Sequence, residues 1–424
     1  MIQTKIMLSN ITSGLNANSS AISKIMAMAD KKNIINMGLD PAKIISFGGG
    51  WVNHKTPKAL QNEYKKISNN SNLFHTTSAY SSPEGTLELR TSLAQVETKL
   101  FGTKGITAEN IIIGQSSTQL TLSLFLATLN PTDKVILFNP TYANYPEQLR
   151  LLQRQIIYLN VFNAKSWTFM QNENEILTKL KELLEKEKPK LILFCSPCNP
   201  TGQIIPDNFI KKVLCETQKH NCFVAIDFAY APIHYSKETP QQYGFSPKKY
   251  PNLIKIFSNS KWTRSLGRRL GWVQADKEVI NAIKIIQQGM ILSPDLMHQT
   301  ALTNYLNQGL ENGSIKKYNK ELVKKYKKAA DFTMDCIDKY LGMQYLKPNG
   351  GIYAVVNVNT NGEKFATEIL QNTGVMFIPG NGFGTSLEKG IRISFGPLVN
   401  DLDKIEEGFS RVKTYIDKQP PQLN

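Results

Sequence analysis

The chain has 424 residues, of which 41% are hydrophobic and 20% are charged, and its formal net charge is +16. This length is enough for one large domain and a smaller one. The positive charge would suit nucleic acid, but the lysines are spread over most of the chain, and their densest group, at 316–328, is typical of a solvated helix face. No apolar run reaches the about eighteen residues that a membrane span needs, so we expect neither a nucleic-acid nor a membrane partner.

The first part of the chain predicts helices at 19–32 and 57–67 and a short strand at 44–47. This strand ends in three glycines, at positions 48–50, which let a backbone pass close to a ligand but also form ordinary turns. From residue 85 to about 289, short Ile/Val/Leu runs alternate with helical patterns. The alternation predicts a mostly parallel sheet covered by helices on both faces. Its strands are predicted at 111–113, 135–138, 156–161, 191–194, 223–226, 254–257 and 270–274.

Beyond Pro294 this alternation stops. The patterns then predict a long helix at 314–340, strands at 351–358, 375–378 and 391–395, and helices at 363–372 and 402–416. We expect these elements to form a small α+β domain together with the N-terminal segment. The predicted division is an N-terminal segment of the small domain at 1–50, a large domain at 51–310 and the C-terminal part of the small domain at 311–424.

Polar residues follow several predicted strands, at the edge where parallel α/β sheets bind ligands. The Ser-Ser-Thr at 116–118 opens a helix, and hydroxyls and free amides at a helix N-terminus form an anion site, although a plain helix cap without a ligand accounts for most such sequences. Asn199 lies in a Pro-Cys-Asn-Pro-Thr-Gly loop that would aim its amide at a ring oxygen. Asp227 ends an apolar strand, where a carboxylate needs a cation such as a protonated pyridine nitrogen.

The stretch at 254–272 joins an apolar strand to a cationic turn. Lys261 follows the strand, and a lysine in such a place can lose its charge by desolvation and act as an amine nucleophile. Ser258 and Arg269 could hold a phosphate beside that amine. Pyridoxal phosphate, an aldehyde with a phosphate group, needs this pairing, whereas a strand followed by a basic solvated turn is the simpler alternative.

Five motifs, taken together, resemble the class I/II aminotransferases, which are fold-type I enzymes with pyridoxal 5'-phosphate as cofactor. The motifs are N-P-T-G at 199–202, D-x-A-Y at 227–230, S-x-S-K at 258–261, R-x-G at 269–271 and I-R-I-S at 391–394. The resemblance covers about residues 45–395. It implies an α/β fold with a large domain whose mostly parallel sheet is sandwiched by helices, and a smaller α+β domain. It also implies a homodimer with shared active sites.

The resemblance assigns the cofactor-binding residues one by one. Lys261 would bond the aldehyde carbon, and Asp227 would keep the pyridine nitrogen protonated. Asn199 and Tyr230 would hydrogen-bond the ring oxygen, and Tyr142 would stack on the ring. The phosphate would lie against Ser116, Ser117, Thr118, Ser258 and Arg269. Of these residues, the catalytic ones are expected to be Lys261, Asp227 and Tyr230.

The substrate and the neighbouring subunit are assigned in the same way. Arg392 would bind the substrate α-carboxylate, with Asn199 and the backbone of Gly50 lining the same pocket, and Tyr80 would reach the phosphate site of the second subunit. A core position for Tyr142 and a surface ion pair for Arg392 are the alternatives. The family pattern also differs at one place in the phosphate loop, since many relatives have glycine where this chain has a serine, at 116.

The substrate class follows from an absence in the sequence. Relatives that select dicarboxylates often carry a second arginine between the lysine and the late arginine, but no arginine occurs between Arg269 and Arg392. We therefore expect an amino group to move between a neutral or aromatic α-amino acid and a 2-keto acid. The same residues would also serve a lyase or synthase that cleaves a C–S bond or eliminates at the β-carbon. A non-catalytic regulatory relative is the third interpretation.

The five cysteines show no paired framework. Cys195 and Cys198 have C-x-x-C spacing, but no second pair follows, so we expect no metal site. Reduced thiols and an N-terminal region of scattered polar residues predict a cytoplasmic protein without a secretory signal.

Overall fold

The structure is a computed structural model that describes residues 21–419, and its largest element is a seven-stranded sheet. Its strands are β2 (Ile111–Gly114), β3 (Lys134–Asn139), β4 (Gln155–Asn160), β7 (Leu191–Cys195), β8 (Phe223–Asp227), β9 (Leu253–Ser258) and β10 (Gly271–Gln274). They are hydrogen-bonded in the order β2-β10-β9-β8-β7-β3-β4. Only β10 runs antiparallel to its neighbours, β2 and β9. The prediction of a mostly parallel sheet is therefore confirmed.

A smaller set of strands lies apart from this sheet. It comprises β1 (Ile45–Ser46), β11 (Tyr345–Leu346), β12 (Tyr353–Asn357), β13 (Val375–Met376), β14 (Ile378–Pro379) and β15 (Gly390–Ser394). Four of these form an antiparallel sheet in the order β11-β12-β15-β14, and β1 pairs in parallel with β13. The last pairing attaches the N-terminal strand to the C-terminal α+β unit. The domain boundaries at 50/51 and 310/311 stay a prediction.

Helices cover the sheets. Two further strands of two residues each, β5 (Phe162–Asn163) and β6 (Thr168–Phe169), pair with each other in a separate hairpin. The helices are α1 (Ala21–Met28), α2 (Lys31–Asn36), α3 (Lys58–Asn69), α4 (Ser71–Thr76), α5 (Leu87–Phe101), α6 (Ser117–Thr128), α7 (Asn144–Leu151), α8 (Glu173–Glu187), α9 (Asp207–Lys219), α10 (Asn259–Trp262), α11 (Lys277–Ile291), α12 (Leu296–Glu311), α13 (Ser314–Cys336), α14 (Gly362–Thr373) and α15 (Leu402–Ile416). Among the helices of residues 21–419, none combines the length with the apolar composition that a membrane span requires.

The central strands are apolar along their whole length because both faces of the sheet are covered. In β7, Leu191 and Leu193 pack into the hydrophobic core on one face, while Ile192 and Phe194 pack into the core on the other. All five residues of this strand are buried. The continuous apolar runs of the sequence thus reflect a two-sided core.

Three differences from the predicted elements have physical causes. The helix predicted at 19–32 is interrupted at Asp30, whose carboxylate accepts a hydrogen bond from the amide of Lys32 and caps α2; its predicted start lies outside the described residues. The long helix predicted to residue 340 keeps α-helical geometry only to Cys336 and ends in a π turn. Helix α12 was not predicted, because its buried side carries polar residues such as His298 and Gln299, which weaken the apolar periodicity.

A buried ion pair joins the sheet to α5. Lys255, in the middle of β9, donates a hydrogen bond of 2.6 Å to Glu97 and one of 2.7 Å to the carbonyl of Tyr243. Glu97 also accepts from the hydroxyl of Thr103 at 3.0 Å. The side chains of the pair are 0% and 2% exposed, so neither charge has access to bulk water.

We expect Glu97→Gln to lower the free energy of unfolding by about 3–5 kcal/mol, because it leaves the Lys255 ammonium buried without a countercharge. Denaturant titration followed by circular dichroism measures this loss. Glu182→Gln is the matched control, since Glu182 pairs with Lys179 on the surface, and such pairs contribute at most about 1 kcal/mol. Equal losses in the two variants would contradict the prediction.

Candidate active site

A cavity of about 260 Å³ lies at the carboxyl ends of β7, β8 and β9. Every residue of the predicted site except Tyr80 lines it. These residues are Gly50, Ser116, Ser117, Thr118, Tyr142, Asn199, Asp227, Tyr230, Ser258, Lys261, Arg269 and Arg392. A larger cleft of about 1000 Å³ lies beside β4 and α8 and contains none of them. The roles of the individual residues stay predictions.

Lys261 lies in α10, the single turn that follows β9, and reaches across the cavity. Its ammonium donates a hydrogen bond to the carbonyl of Gly50 and lies 5.7 Å from the centre of the Tyr230 ring. Burial, and to a lesser extent the positive charges of Arg392 and Arg269, lower the pKa of Lys261 to about 8, while the negative charge of Asp227 opposes the shift. Near neutral pH the neutral amine is therefore a minor form, but it is far more populated than in an ordinary lysine, whose pKa is about 10.4.

Asp227 ends β8 and presents its carboxylate to the cavity. One oxygen accepts a hydrogen bond of 2.8 Å from the hydroxyl of Tyr145, and the other accepts one of 2.8 Å from the amide of Ala229. Burial raises the pKa of Asp227, whereas these two hydrogen bonds and the charge of Lys261 lower it. Within residues 21–419 the carboxylate forms no ion pair, so it can accept a cationic group of a ligand.

Arg392 occupies the middle of β15, and its guanidinium is buried. It donates to the side-chain oxygen of Asn199 at 3.0 Å and to the carbonyl of Gly48 at 2.7 Å. Its Nε is buried and has no hydrogen-bond partner among the described residues. The surface ion pair considered as an alternative is therefore wrong, and the group has free capacity for a carboxylate.

The segment at 116–118 forms the N-terminus of α6, at the edge of the cavity. Ser116 has φ 152° and ψ 164°, a backbone region that favours glycine, which accounts for the glycine in relatives. Its hydroxyl accepts a hydrogen bond from the amide of Gln119 at 3.3 Å. Gly271 lies directly against this terminus, since a Cβ there would be 2.7 Å from the amide nitrogen of Ser117.

Strand register brings further polar groups to this helix N-terminus. Gly271 at the start of β10 is opposite Ser258 on one side and Gly114 on the other. Arg269, two residues earlier, lines the cavity, whereas the adjacent Arg268 stacks on Tyr64, 4.9 Å from the ring centre. Hydroxyls, helix amides and one guanidinium thus converge, which is the donor set that phosphate prefers.

Six further residues line the cavity that sequence reasoning did not assign to the site: Tyr145, Cys195, Ala229, Ser260, Leu266 and Tyr353. Three of them bind residues of the predicted site. Tyr145 binds Asp227; Cys195 accepts a hydrogen bond from the amide of Asn199 at 3.2 Å; and the hydroxyl of Tyr353 lies 2.6 Å from that of Tyr230. Tyr145 lies in the first turn of α7, three residues after Tyr142, and this short separation in sequence is the only signal for it. For Tyr353, which lies in a predicted strand, the sequence contains no signal of a place in the site.

Tyr80 lies outside the cavity, and 82% of its surface is exposed. Other large apolar residues of the same region, Leu73, Phe74 and Leu87, are also exposed. The predicted contribution of Tyr80 to a neighbouring subunit is compatible with this position, and it stays a prediction.

Comparisons with known proteins all identify aminotransferases as similar to this chain. The model of the family described as aminotransferase class I and II matches residues 42–407. The chain is 24% identical over 400 residues to an aspartate aminotransferase of Thermotoga maritima, covering 94% of this chain and 97% of that protein. It is 28% identical over 412 residues to a (5-formylfuran-3-yl)methyl phosphate transaminase of Methanocaldococcus jannaschii, covering 95% and 98%. Its fold is similar to that of an aspartate aminotransferase single mutant of Thermus thermophilus, with a TM-score of 0.82, 22% identity and coverage of 96% and 100%.

We expect acylation of Lys261 in the cofactor-free protein to increase with pH around a midpoint of about 8, as followed by mass spectrometry of the labelled peptide. Arg269→Gln should raise this midpoint, because a nearby cation disfavours the ammonium form. Arg150→Gln removes an exposed arginine outside the cavity and should leave it unchanged. A wild-type midpoint near the ordinary lysine value of about 10.4 would contradict the prediction.

Proposed function

Since the chain belongs to the aminotransferase class I and II family, we propose that it transfers the amino group of a neutral or aromatic α-amino acid to a 2-keto acid, with pyridoxal 5'-phosphate as cofactor. The family match confirms the resemblance carried by the five motifs, and transamination is the activity named for its relatives. The cofactor and the substrate class are the parts that need support from the cavity.

The residues of the cavity fit pyridoxal 5'-phosphate in three places. The anion site at 116–118 with Arg269 suits the phosphate, the unpaired carboxylate of Asp227 suits a protonated pyridine nitrogen, and the amine of Lys261 suits the aldehyde. The presence of all three in one cavity is the observation that carries the proposal. When bound, the cofactor withdraws electrons from the bonds of the substrate α-carbon.

The side chains would then divide the work. With a pKa lowered to about 8, Lys261 can hold a proton or release it, which suits a general base that removes the proton of the substrate α-carbon. Asp227 would keep the pyridine nitrogen protonated through its negative charge. Tyr230, whose pKa is raised by burial, stays a phenol and can donate a hydrogen bond to the cofactor ring oxygen.

Arg392 would orient the substrate. Two of its nitrogens are held by Asn199 and Gly48, so the guanidinium plane is fixed before a ligand arrives, and the cost of ordering it on binding is small. The unpaired Nε adds a donor at the same group. A substrate α-carboxylate bound here would be held in one orientation relative to Lys261.

The preference for neutral or aromatic amino donors rests on the lack of a spare basic side chain in the cavity. Among the described residues that line it, the basic side chains are Lys261, Arg269 and Arg392. Each has a role with the cofactor or the α-carboxylate, which leaves none for a second, distal carboxylate. The rest of the wall includes the aromatic rings of Tyr142 and Tyr353, which favour apolar side chains.

The state of the cysteines and the position of the lysines support two further parts of the proposal, a cytoplasmic location and the lack of a nucleic-acid partner. All five cysteines are free, as expected in a reducing cytoplasm. No cluster of metal-ligating residues occurs in the part of the chain that the structure describes. The lysines at 316–328 lie on α13, whose polar side is exposed, and they need no nucleic acid to explain them.

A panel of half-reactions tests the function. The protein loaded with pyridoxal 5'-phosphate is mixed with single amino acids, and the absorbance change to the aminated cofactor is followed. We expect neutral or aromatic donors to react at least about tenfold faster than aspartate, since a distal carboxylate would be buried without a partner. Lys261→Ala should abolish the change.

The outcomes of this panel separate the two claims. Aspartate as the fastest donor would refute the substrate class but not transamination. A wild-type protein that reacts with no donor, or that releases pyruvate and ammonia without a keto acid, would refute the function itself.

We also infer that two copies of the chain share their active sites through Tyr80. Tyr80 is exposed, and so are Leu73, Phe74 and Leu87 from the same stretch of the sequence; several exposed apolar side chains in one stretch suit a contact with a second copy. In this arrangement Tyr80 of each copy would complete the anion site of the other.

Mixing two variants, each of which we expect to have little activity alone, tests this arrangement. If Tyr80 acts across the dimer, refolding Tyr80→Ala together with Lys261→Ala should restore about a quarter of the wild-type activity, because half of the dimers are mixed and each has one intact site. If Tyr80 acts within its own chain, no activity should return. Sedimentation of each variant alone controls for loss of the dimer.

A further inference from the structure

We propose that Tyr353 is a positioning residue that orders the substrate-carboxylate site and the cofactor-oxygen site together. Its ring would fix the plane of the Arg392 guanidinium, and its hydroxyl would donate a hydrogen bond to the hydroxyl of Tyr230. This inference rests on the proposed function, since it assigns Arg392 and Tyr230 to substrate and cofactor. It adds a residue that none of the five sequence motifs contains.

The ring of Tyr353 is one of two aromatic surfaces around Arg392. The guanidinium carbon lies 4.4 Å from the centre of the Tyr353 ring and 4.8 Å from that of Phe383. A desolvated guanidinium between ring faces is held by cation–π attraction, and the hydrogen bonds to Asn199 and Gly48 fix its rotation within that plane. The ring of Tyr353 therefore fixes the tilt of the guanidinium plane, which the hydrogen bonds at the edge of the guanidinium cannot fix.

Register explains how β12 delivers this ring. Strands β12 and β15 are paired so that Val355 is opposite Arg392, and Tyr353 is opposite Ser394. Tyr353 thus lies two residues along β12 from the arginine, on the same face of the sheet. From there the hydroxyl reaches Gly50, where an added Cβ would lie 3.2 Å from it. The side chain spans the distance from the small sheet to the cavity.

The hydroxyl of Tyr353 meets that of Tyr230 at 2.6 Å, and both side chains are buried. Burial raises the pKa of each phenol, so both keep their protons. Two hydroxyls share one hydrogen bond, and one proton remains for another acceptor. If Tyr353 donates, Tyr230 accepts and its own proton is free to point at the cofactor ring oxygen. The reverse direction would direct the Tyr230 proton away from that oxygen.

The proposed direction has a measurable consequence. A phenol that accepts a hydrogen bond becomes a stronger donor. When Tyr230 donates to the cofactor ring oxygen, that oxygen becomes less basic and binds a neighbouring proton less tightly. Tyr353 would therefore lower the pH at which the absorbance of the bound cofactor changes. The ring, by contrast, would act on affinity for the carboxylate.

Two substitutions separate these effects. Tyr353→Phe keeps the ring and removes the hydroxyl; we expect the absorbance titration of the bound cofactor to shift upward by about one pH unit. Affinity for an unreactive α-methyl amino acid should change by no more than about twofold, since the cation–π contact remains. Tyr353→Leu removes both features, and affinity for that analogue should fall about 3- to 30-fold. Tyr158→Phe, on the exposed edge strand β4, should match wild type in both measurements.

Each result decides one part of the proposal. An unchanged or downward titration in Tyr353→Phe would overturn the assigned hydrogen bond. Equal analogue affinities of the Phe and Leu variants would overturn the role of the ring, and Tyr353→Met provides a second truncation if the Leu variant does not fold. A wild-type protein that shows no bound-cofactor absorbance would instead refute the proposed function, so the two failures are distinguishable.

Discussion

The site depends on keeping opposite charges buried in one cavity without letting them neutralise each other. Asp227 and Arg392 are both 6% exposed, yet each is held by neutral donors or acceptors and not by a countercharge among the described residues. Burying an unpaired ion has a cost of several kcal/mol, which the rest of the fold must supply. The same cost favours any ligand that brings the missing charge, a cation for Asp227 and a carboxylate for Arg392.

The neutral groups that hold these charges come from distant parts of the sequence. Arg392 in β15 is bound by Gly48, after β1, and by Asn199, after β7. The amide of Ser394 donates to the carbonyl of Phe47 at 2.8 Å, so the N-terminal strand and β15 are joined by backbone as well. The surroundings of Arg392 are therefore assembled only when the N-terminal segment, the large sheet and the small sheet are all in place.

The sequence predicted the features that periodicity and motifs encode. The seven strands of the large sheet were all located, because their runs of Ile, Val and Leu are buried on both faces. The cavity residues Lys261, Asp227 and Arg392 were found together because each lies in a motif. Resemblance to the family was needed for Arg392, since a lone arginine in a strand has no local signature of function.

Periodicity and motifs could not predict contacts between segments that are far apart in the sequence. The pair of Lys255 with Glu97 and the contact of Tyr353 with Tyr230 join residues that are more than a hundred positions apart. Neither partner has a neighbour in sequence that reveals the contact. Helix α12 was missed for a related reason, because its buried polar residues are satisfied by tertiary hydrogen bonds, such as that from the amide of Thr86 to Gln299, which periodicity does not detect.

The reversed direction of β10 has a consequence for how much the chain can vary here. Because this strand runs against its neighbours, its beginning lies at the edge where the parallel strands end, and Ser258, Gly271 and Gly114 form a row across three strands. The turn at 259–270 can therefore change in length only if this row is preserved. A slip of β10 by one residue would turn alternate side chains to the opposite face and bring Trp272 to the position of Gly271, where the amide of Ser117 leaves no room for a side chain. Insertions in this hairpin would thus be tolerated at its tip and rejected within the strand.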